Sequence, residues 1–171
     1  MSAAPPATRG SAKRLLHELA AAQRRETRAD DLVCDLRPAD DDAADITQWA
    51  ARIRGAPGGN YGGGEFLLHI AVPATYPMKP PVIHFRTRIF HPNVHWKTGE
   101  ICLDVLQSQW SPAWTLHSAC TAILALLDAP EPDSPLNVDA AVLFRTSDAV
   151  AYRSLCQMYT VLYAGGGEGA T

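Results

Sequence analysis

The sequence predicts an α+β domain: an N-terminal helix, a four-stranded antiparallel sheet, then three C-terminal helices. Three observations carry this. An apolar stripe at helical spacing comes first; four short apolar runs joined by polar or glycine-rich links lie between residues 32 and 85; and helical periodicity returns only after residue 115. Helices and strands are thus segregated rather than alternating, which argues against a parallel βαβ sheet. A length of 171 residues, 47% of them hydrophobic, suits one globular domain with a full core.

The Pro/Ala-rich residues 1–10 and glycine-rich residues 165–171 read as disordered tails, leaving a domain at 11–164. Ser11 is expected to N-cap the first helix, whose stripe is Ala12, Leu15, Leu16, Leu19 and Ala22. Its other face is basic, with Lys13, Arg14, Arg24, Arg25 and Arg28. Strands are expected at Leu32–Leu36, Ile46–Arg54, Glu65–Val72 and Val82–Phe85, with Phe66, Leu68, Ile70 and Val72 alternating cleanly. Asp40-Asp41-Asp42 reads as an acidic loop. Gly55–Gly64 reads as a flexible hairpin turn, without the Gly-Lys-Ser/Thr ending of a phosphate-binding loop. A helix over Thr115–Asp128 places Leu116, Cys120, Ile123 and Leu127 on one face, and Asn137 and Asp148 are expected to cap the two that follow.

Composition excludes several functions. A formal net charge of −3 provides no basic field for nucleic acid, and the cations of the first helix read as a solvated face. The longest apolar run, Ala119–Leu127, is short and broken by Thr121, so no membrane insertion is expected. Cys34, Cys102, Cys120 and Cys156 lie far apart without a Cys-x-x-Cys pair, which indicates neither a zinc site nor a disulfide framework and suits a reducing compartment. His91 and His95 are four apart, but Pro92 between them opposes a helix, and no metal site is expected.

Three of the cysteines fall on periodic elements and read as packing residues; only Cys102 lies outside any such element. A lone cysteine is by itself an ordinary small hydrophobe. Its setting changes the reading: His91-Pro92-Asn93 precedes Gly99-Glu100-Ile101-Cys102-Leu103-Asp104, placing a thiol nine residues after a side-chain amide. A thiol can both accept and release an acyl group, and the Asn93 amide is a candidate donor to the oxyanion formed between those steps.

Tyr76-Pro77-Met78-Lys79-Pro80-Pro81, His91-Pro92-Asn93, Gly99–Asp104 and Trp110-Ser111-Pro112 together resemble, in order and spacing, the ubiquitin-conjugating enzymes, over about residues 11–163. The resemblance implies that family's α+β fold and catalytic domain at 11–164. It also implies that Cys102 receives ubiquitin from the activating enzyme, and that Asn93 supports the transition state. His91 and Pro92 would hold the loop that presents Asn93. Asp133-Ser134-Pro135-Leu136 matches the loop flanking the active site, where many relatives carry an acidic residue that activates lysine. Here that position is Ser134, with Asp133 and Asp104 nearby. Met78 and Ser111-Pro112-Ala113 match the loops that meet a RING-type ubiquitin ligase; Lys13, Arg14 and His17 match the face that docks on the activating enzyme. No cofactor is implied, ATP being used upstream by the activating enzyme.

Within the family, Trp110–Leu116, Pro130–Asn137 and an Asn93–Cys102 spacing one residue longer than in many members are most similar to the peroxisomal branch. That branch marks the cycling import receptor, often on cysteine. This implies a cytoplasmic enzyme at the cytosolic face of the peroxisomal membrane, held by a membrane-anchored adaptor. The sequence has no membrane span or lipidation motif and ends Glu168-Gly169-Ala170-Thr171, without a peroxisomal address. Ser134 suits a cysteine acceptor, since a thiol lies about two pKa units below an amine and presents roughly a hundredfold more of its nucleophilic form. The alternatives are a general cytosolic enzyme passing ubiquitin or another modifier to lysine, and an inactive ubiquitin-binding scaffold.

Overall fold

A computed structural model describes residues 7–25, 28, 30–40, 45–146 and 148–165. The order is α1 (Arg9–Arg25), β1 (Val33–Pro38), β2 (Gln48–Arg54), β3 (Glu65–Ala71), β4 (Val82–Phe85), α2 (Leu116–Asp128), α3 (Val138–Arg145) and α4 (Ala149–Ala164). The strands form one antiparallel meander in the order β1-β2-β3-β4. Trp49, Ala51 and Ile53 pair with Ile70, Leu68 and Phe66, so one face is continuously apolar. Leu15 of α1 and Leu116, Ile123 and Leu127 of α2 join those residues in the core, all at most 2% exposed. Each such side chain contributes about 1.5–3 kcal/mol on burial.

The three C-terminal helices begin as the sequence predicts. Thr115 and Ser118 form a reciprocal capping box at α2, and Asn137 and Asp148 accept from the amides of Ala140 and Ala151. Such caps are local and contribute about 1 kcal/mol each. Helix α1 differs. It starts at Arg9, inside the expected tail, and the Thr8 hydroxyl accepts from Ser11 N at 3.2 Å. Ser11 is therefore not the cap but a buried first-turn residue. Leu16 is 57% exposed, whereas Glu18 is 5% exposed and takes a place among the apolar residues.

Two further expectations are corrected. Cys34 is not core: Asp35 has φ +53 at a bulge in the β1–β2 register, which turns Val33 and Leu36 inward. Cys34 is left half-buried, its thiol donating to the Arg52 carbonyl at 3.2 Å. The Gly55–Gly64 turn is not a loose link. Successive backbone bonds close it, and it inserts Tyr61, 2% exposed, into the core. The acidic loop falls on Asp41 and Asp42, which lie outside the described residues, as do residues 1–6 and 166–171 of the expected tails. No helix among the described residues is long and apolar enough to cross a membrane.

Candidate active site

Between β4 and α2 the chain forms no long element, and side chains hold it instead. Tyr61 donates to the Phe90 carbonyl at 2.7 Å, and Cys156 and the Tyr152 hydroxyl pack against the same phenol. Burial pushes the Tyr61 hydroxyl far above its ordinary range, so it acts as a neutral donor. The next residue, His91, is fully buried. Its Nε2 donates to the Leu126 carbonyl at the end of α2 (3.0 Å), and its Nδ1 accepts from Asn93 N (3.0 Å). Burial lowers its pKa to about 4, only partly opposed by the Leu126 bond. A neutral imidazole with both nitrogens used is a structural brace. The Pro92 carbonyl accepts from Leu136 N and Asn137 N at 2.8 and 3.0 Å, drawing residues 131–137 against the loop.

Cys102 lies at the open end of a short hairpin that Asn93 begins. Cys102 N donates to the Asn93 carbonyl, Val94 bridges Ile101, and Gly99 N returns to the His95 carbonyl. Gly99 is required at the turn: φ is +71, and a Cβ there would fall 1.9 Å from the Phe85 carbonyl oxygen. A 3₁₀ turn at Asp104–Leu106 then carries the chain away. The Cys102 thiol is half-buried and, among the described residues, makes no hydrogen bond to a base. Burial raises its pKa, with the charges of Asp104, Glu131 and Glu100 adding in that order. A thiol of raised pKa is a poorer leaving group, so an acyl group on it is held rather than shed. Asp104 and Glu100 lie two residues either side of Cys102 in the sequence; only Glu131, 29 positions on, is brought near the thiol by long-range folding.

Asn93 corrects the simplest expectation. Its fully buried amide does not stand free toward the thiol. Nδ2 donates to the carbonyls of Glu131 (2.6 Å) and Ser134 (3.3 Å), and Oδ1 accepts from Glu131 N (2.8 Å). Both donor hydrogens are in use, so Asn93 clamps the 131–134 segment in this state, and serving an oxyanion requires releasing the longer bond first. Arg145 at the end of α3 holds the same segment from outside, through the Pro132 carbonyl and a 3.7 Å ion pair with Asp133. Asp133 and Ser134 are exposed on it, and Leu136 is half-buried.

The residues expected to meet partner proteins lie on α1 and on the loops at 76–81 and 110–115. Met78 is 73% exposed; Trp110 Nε1 donates to the Pro77 carbonyl at 2.8 Å and joins its loop to the Ser111-Pro112-Ala113 loop. Lys13 and His17 are exposed on α1. Arg14 also makes bonds within the fold. Its guanidinium binds Glu18 at 2.6 Å, the Pro112 and Trp114 carbonyls at 3.1 and 2.8 Å, and lies over the Tyr76 ring. Glu18 also accepts from Tyr76 OH and Leu116 N, both at 2.7 Å. Arg14 is thus half-buried and anchored to the fold, and Glu18, a residue sequence reasoning missed, is the hub joining α1, α2 and both loops. No group of three or more His, Cys, Asp or Glu placed to hold a metal occurs among the described residues.

A thiol carrier without an adjacent base, braced by a neutral histidine and flanked by a clamped loop, suits acyl transfer to an external acceptor. The sequence profile of the ubiquitin-conjugating enzyme family matches residues 14–160, and the chain belongs to that family. It is similar to the Arabidopsis thaliana protein named PEROXIN-4, 49% identical over 156 residues that span 90% of this chain and 95% of the relative. It is also similar to the Dictyostelium discoideum ubiquitin-conjugating enzyme E2 pex4, 53% identical over 71% of this chain and 82% of that one. Among solved structures, the H. polymorpha ubiquitin conjugating enzyme Pex4p, crystallised in complex with the soluble domain of Pex22p, superposes with a TM-score of 0.84. The identity is 38%, covering 90% of this chain and 97% of that one.

Proposed function

We propose that this enzyme takes ubiquitin from the activating enzyme as a thioester on Cys102 and passes it, with a RING-type ligase, to the peroxisomal import receptor for its recycling. The single observation that carries the chemistry is the half-buried Cys102 thiol, held beside Asn93 and given no base of its own. The enzyme itself binds no cofactor. Asn93 first clamps the 131–134 segment; as the tetrahedral intermediate forms, the Ser134 bond gives way and one Nδ2 hydrogen turns to the oxyanion. Lys13 and His17 meet the activating enzyme, and Met78 with Ser111, Pro112 and Ala113 meet the ligase.

The peroxisomal setting rests on the similarity to the peroxin-4 relatives and to Pex4p bound to Pex22p. We place the enzyme at the cytosolic face of that membrane on a membrane-anchored adaptor. The exposed apolar side chains of α4, among them Val150, Val161 and Leu162 at 63–77%, support a protein partner there. With activating enzyme, ATP and ubiquitin, Cys102 should form a reductant-sensitive adduct, and Cys102→Ser a reductant-resistant one. A labile adduct on that variant would sink the assignment. Val161→Asp with Leu162→Asp should lose the adaptor in co-purification from cells while still charging.

A second reading, transfer to lysine, is favoured by the carboxylates of Glu100, Asp104 and Glu131 around the thiol, which would draw an ammonium group. Single-turnover discharge to free cysteine and to free lysine decides between the two.

A further inference from the structure

Beyond β4 the surface changes character. Arg86, Arg88, His95 and Lys97 line one cleft of about 80 Å³ between the turn at 86–88 and the turn at 95–99. The three cations are exposed, and none is ion-paired within the described residues. On the sheet, by contrast, Arg52 and Arg54 are matched by Asp35 and Glu65. Arg88 is held in place: its guanidinium lies 5.6 and 5.7 Å from the ring centres of Trp96 and Tyr163. The field extends to β3, where His69 is depressed by burial first and by the Arg86 charge second. An unbalanced cluster of cations in a chain of net charge −3 is a recognition feature rather than a solubility feature.

Size and surroundings select the occupant. The cleft is small and lined by cationic side chains, which suits carboxylates presented on side chains rather than a large ligand. Glu100 is exposed one residue beyond Gly99 of the cleft wall, which breaks the basic area and disfavours a flat anionic membrane. The 95–99 turn is the closed end of the hairpin whose open end is Cys102. Lys97 precedes Cys102 by five positions, and because Thr98 and Gly99 are still in the turn the two lie closer than the limit of about 16 Å set by extended chain at ~3.3 Å per residue.

We propose that this cleft docks an acidic segment of the protein substrate and thereby holds the acceptor side chain within reach of the charged thiol. The proposal rests on the conjugating activity but not on the peroxisomal setting. The probe is a labelled peptide with six consecutive glutamates and one terminal cysteine, compared with its glutamine counterpart, against the full chain. Anisotropy at about 50 mM salt should show the glutamate peptide binding at least about tenfold tighter, with near parity at about 300 mM. Arg86→Glu with Lys97→Glu should abolish the preference; Arg86→Lys with Lys97→Arg should keep it.

In single turnover the glutamate peptide should discharge ubiquitin faster than the glutamine peptide, after division by their rates with a small-molecule ubiquitin thioester. The charge-reversed variant should discharge to free cysteine at the unaltered rate. Equal binding of the two peptides, a preference that survives charge reversal, or binding without faster transfer would each overturn the proposal. So would charge-dependent sedimentation with phosphatidylserine vesicles in the absence of a peptide preference, which would make the patch a membrane contact. Failure of the unmodified chain to charge at all would overturn the conjugation reading instead, a separate outcome.

Discussion

Replacing Asn93 by alanine tests whether the amide clamps the flanking segment, as its three hydrogen bonds imply. The change removes the acceptor of the Glu131 amide and the donor to two carbonyls in a fully buried position. Leaving one such group without its partner costs about 1–3 kcal/mol, which opens the segment locally by roughly 10- to 100-fold. Hydrogen exchange at the Glu131 amide should accelerate by that factor, while amides of β2 and β3 keep their protection. Thioester formation on Cys102 should persist, because the thiol's backbone bond runs to the Asn93 carbonyl, which alanine retains. Discharge to an acceptor should fall by about 10²-fold or more, on the scale of a lost oxyanion donor. Asn93→Asp should loosen the segment further, since carboxylate oxygens would then face the Glu131 and Ser134 carbonyls. Unchanged exchange at Glu131 in Asn93→Ala would refute the clamp and leave the amide a role in transfer alone.

Because burial holds the His91 pKa near 4, below its ordinary 6.5, the neutral form is favoured in the folded state. The associated stability is therefore complete above about pH 6.5 and is lost as pH falls toward 4, by about 3 kcal/mol; urea unfolding at pH 7, 5 and 4 should show this, with a flatter profile for His91→Asn. Gly99→Ala forces a Cβ into the Phe85 carbonyl and should lower stability by about 2–4 kcal/mol in the same assay. Ser134→Asp should raise discharge to free lysine while changing discharge to free cysteine little. Rapid lysine discharge by the unmodified enzyme, unaltered in that variant, would favour the lysine-modifying reading.

What the sequence reveals here depends on how far each interaction reaches along the chain. Asn137 and Asp148 are legible as caps because their partners lie three residues away. The alternation of Phe66, Leu68 and Ile70 is legible because the pleat alone imposes it. Cys34 misleads because a bulge at Asp35, absent from any periodic pattern, reverses which residues face the core. Glu18 reads as one more polar helix residue, since its partners Tyr76 and Leu116 are 58 and 98 positions distant. Sequence separation also hides Glu131, which is bonded to the Asn93 side chain 38 residues away. The motif around Cys102 marks the candidate nucleophile, but the state of the Asn93 amide is a property of the folded loop.

The Glu18 hub also orders events in time. Helix α1 leaves the ribosome before the sheet and α2, yet the amide that its buried carboxylate accepts from belongs to Leu116, 98 residues later. Until α2 has emerged, this carboxylate has only Arg14 and, later, Tyr76 for company, and α1 has no complete seat. Contacts of such long sequence separation form late, because the intervening chain must be ordered first. The face proposed to receive the activating enzyme is thus finished only after the segment bearing Cys102 has been made, so a nascent chain lacking its nucleophile would present no completed docking surface.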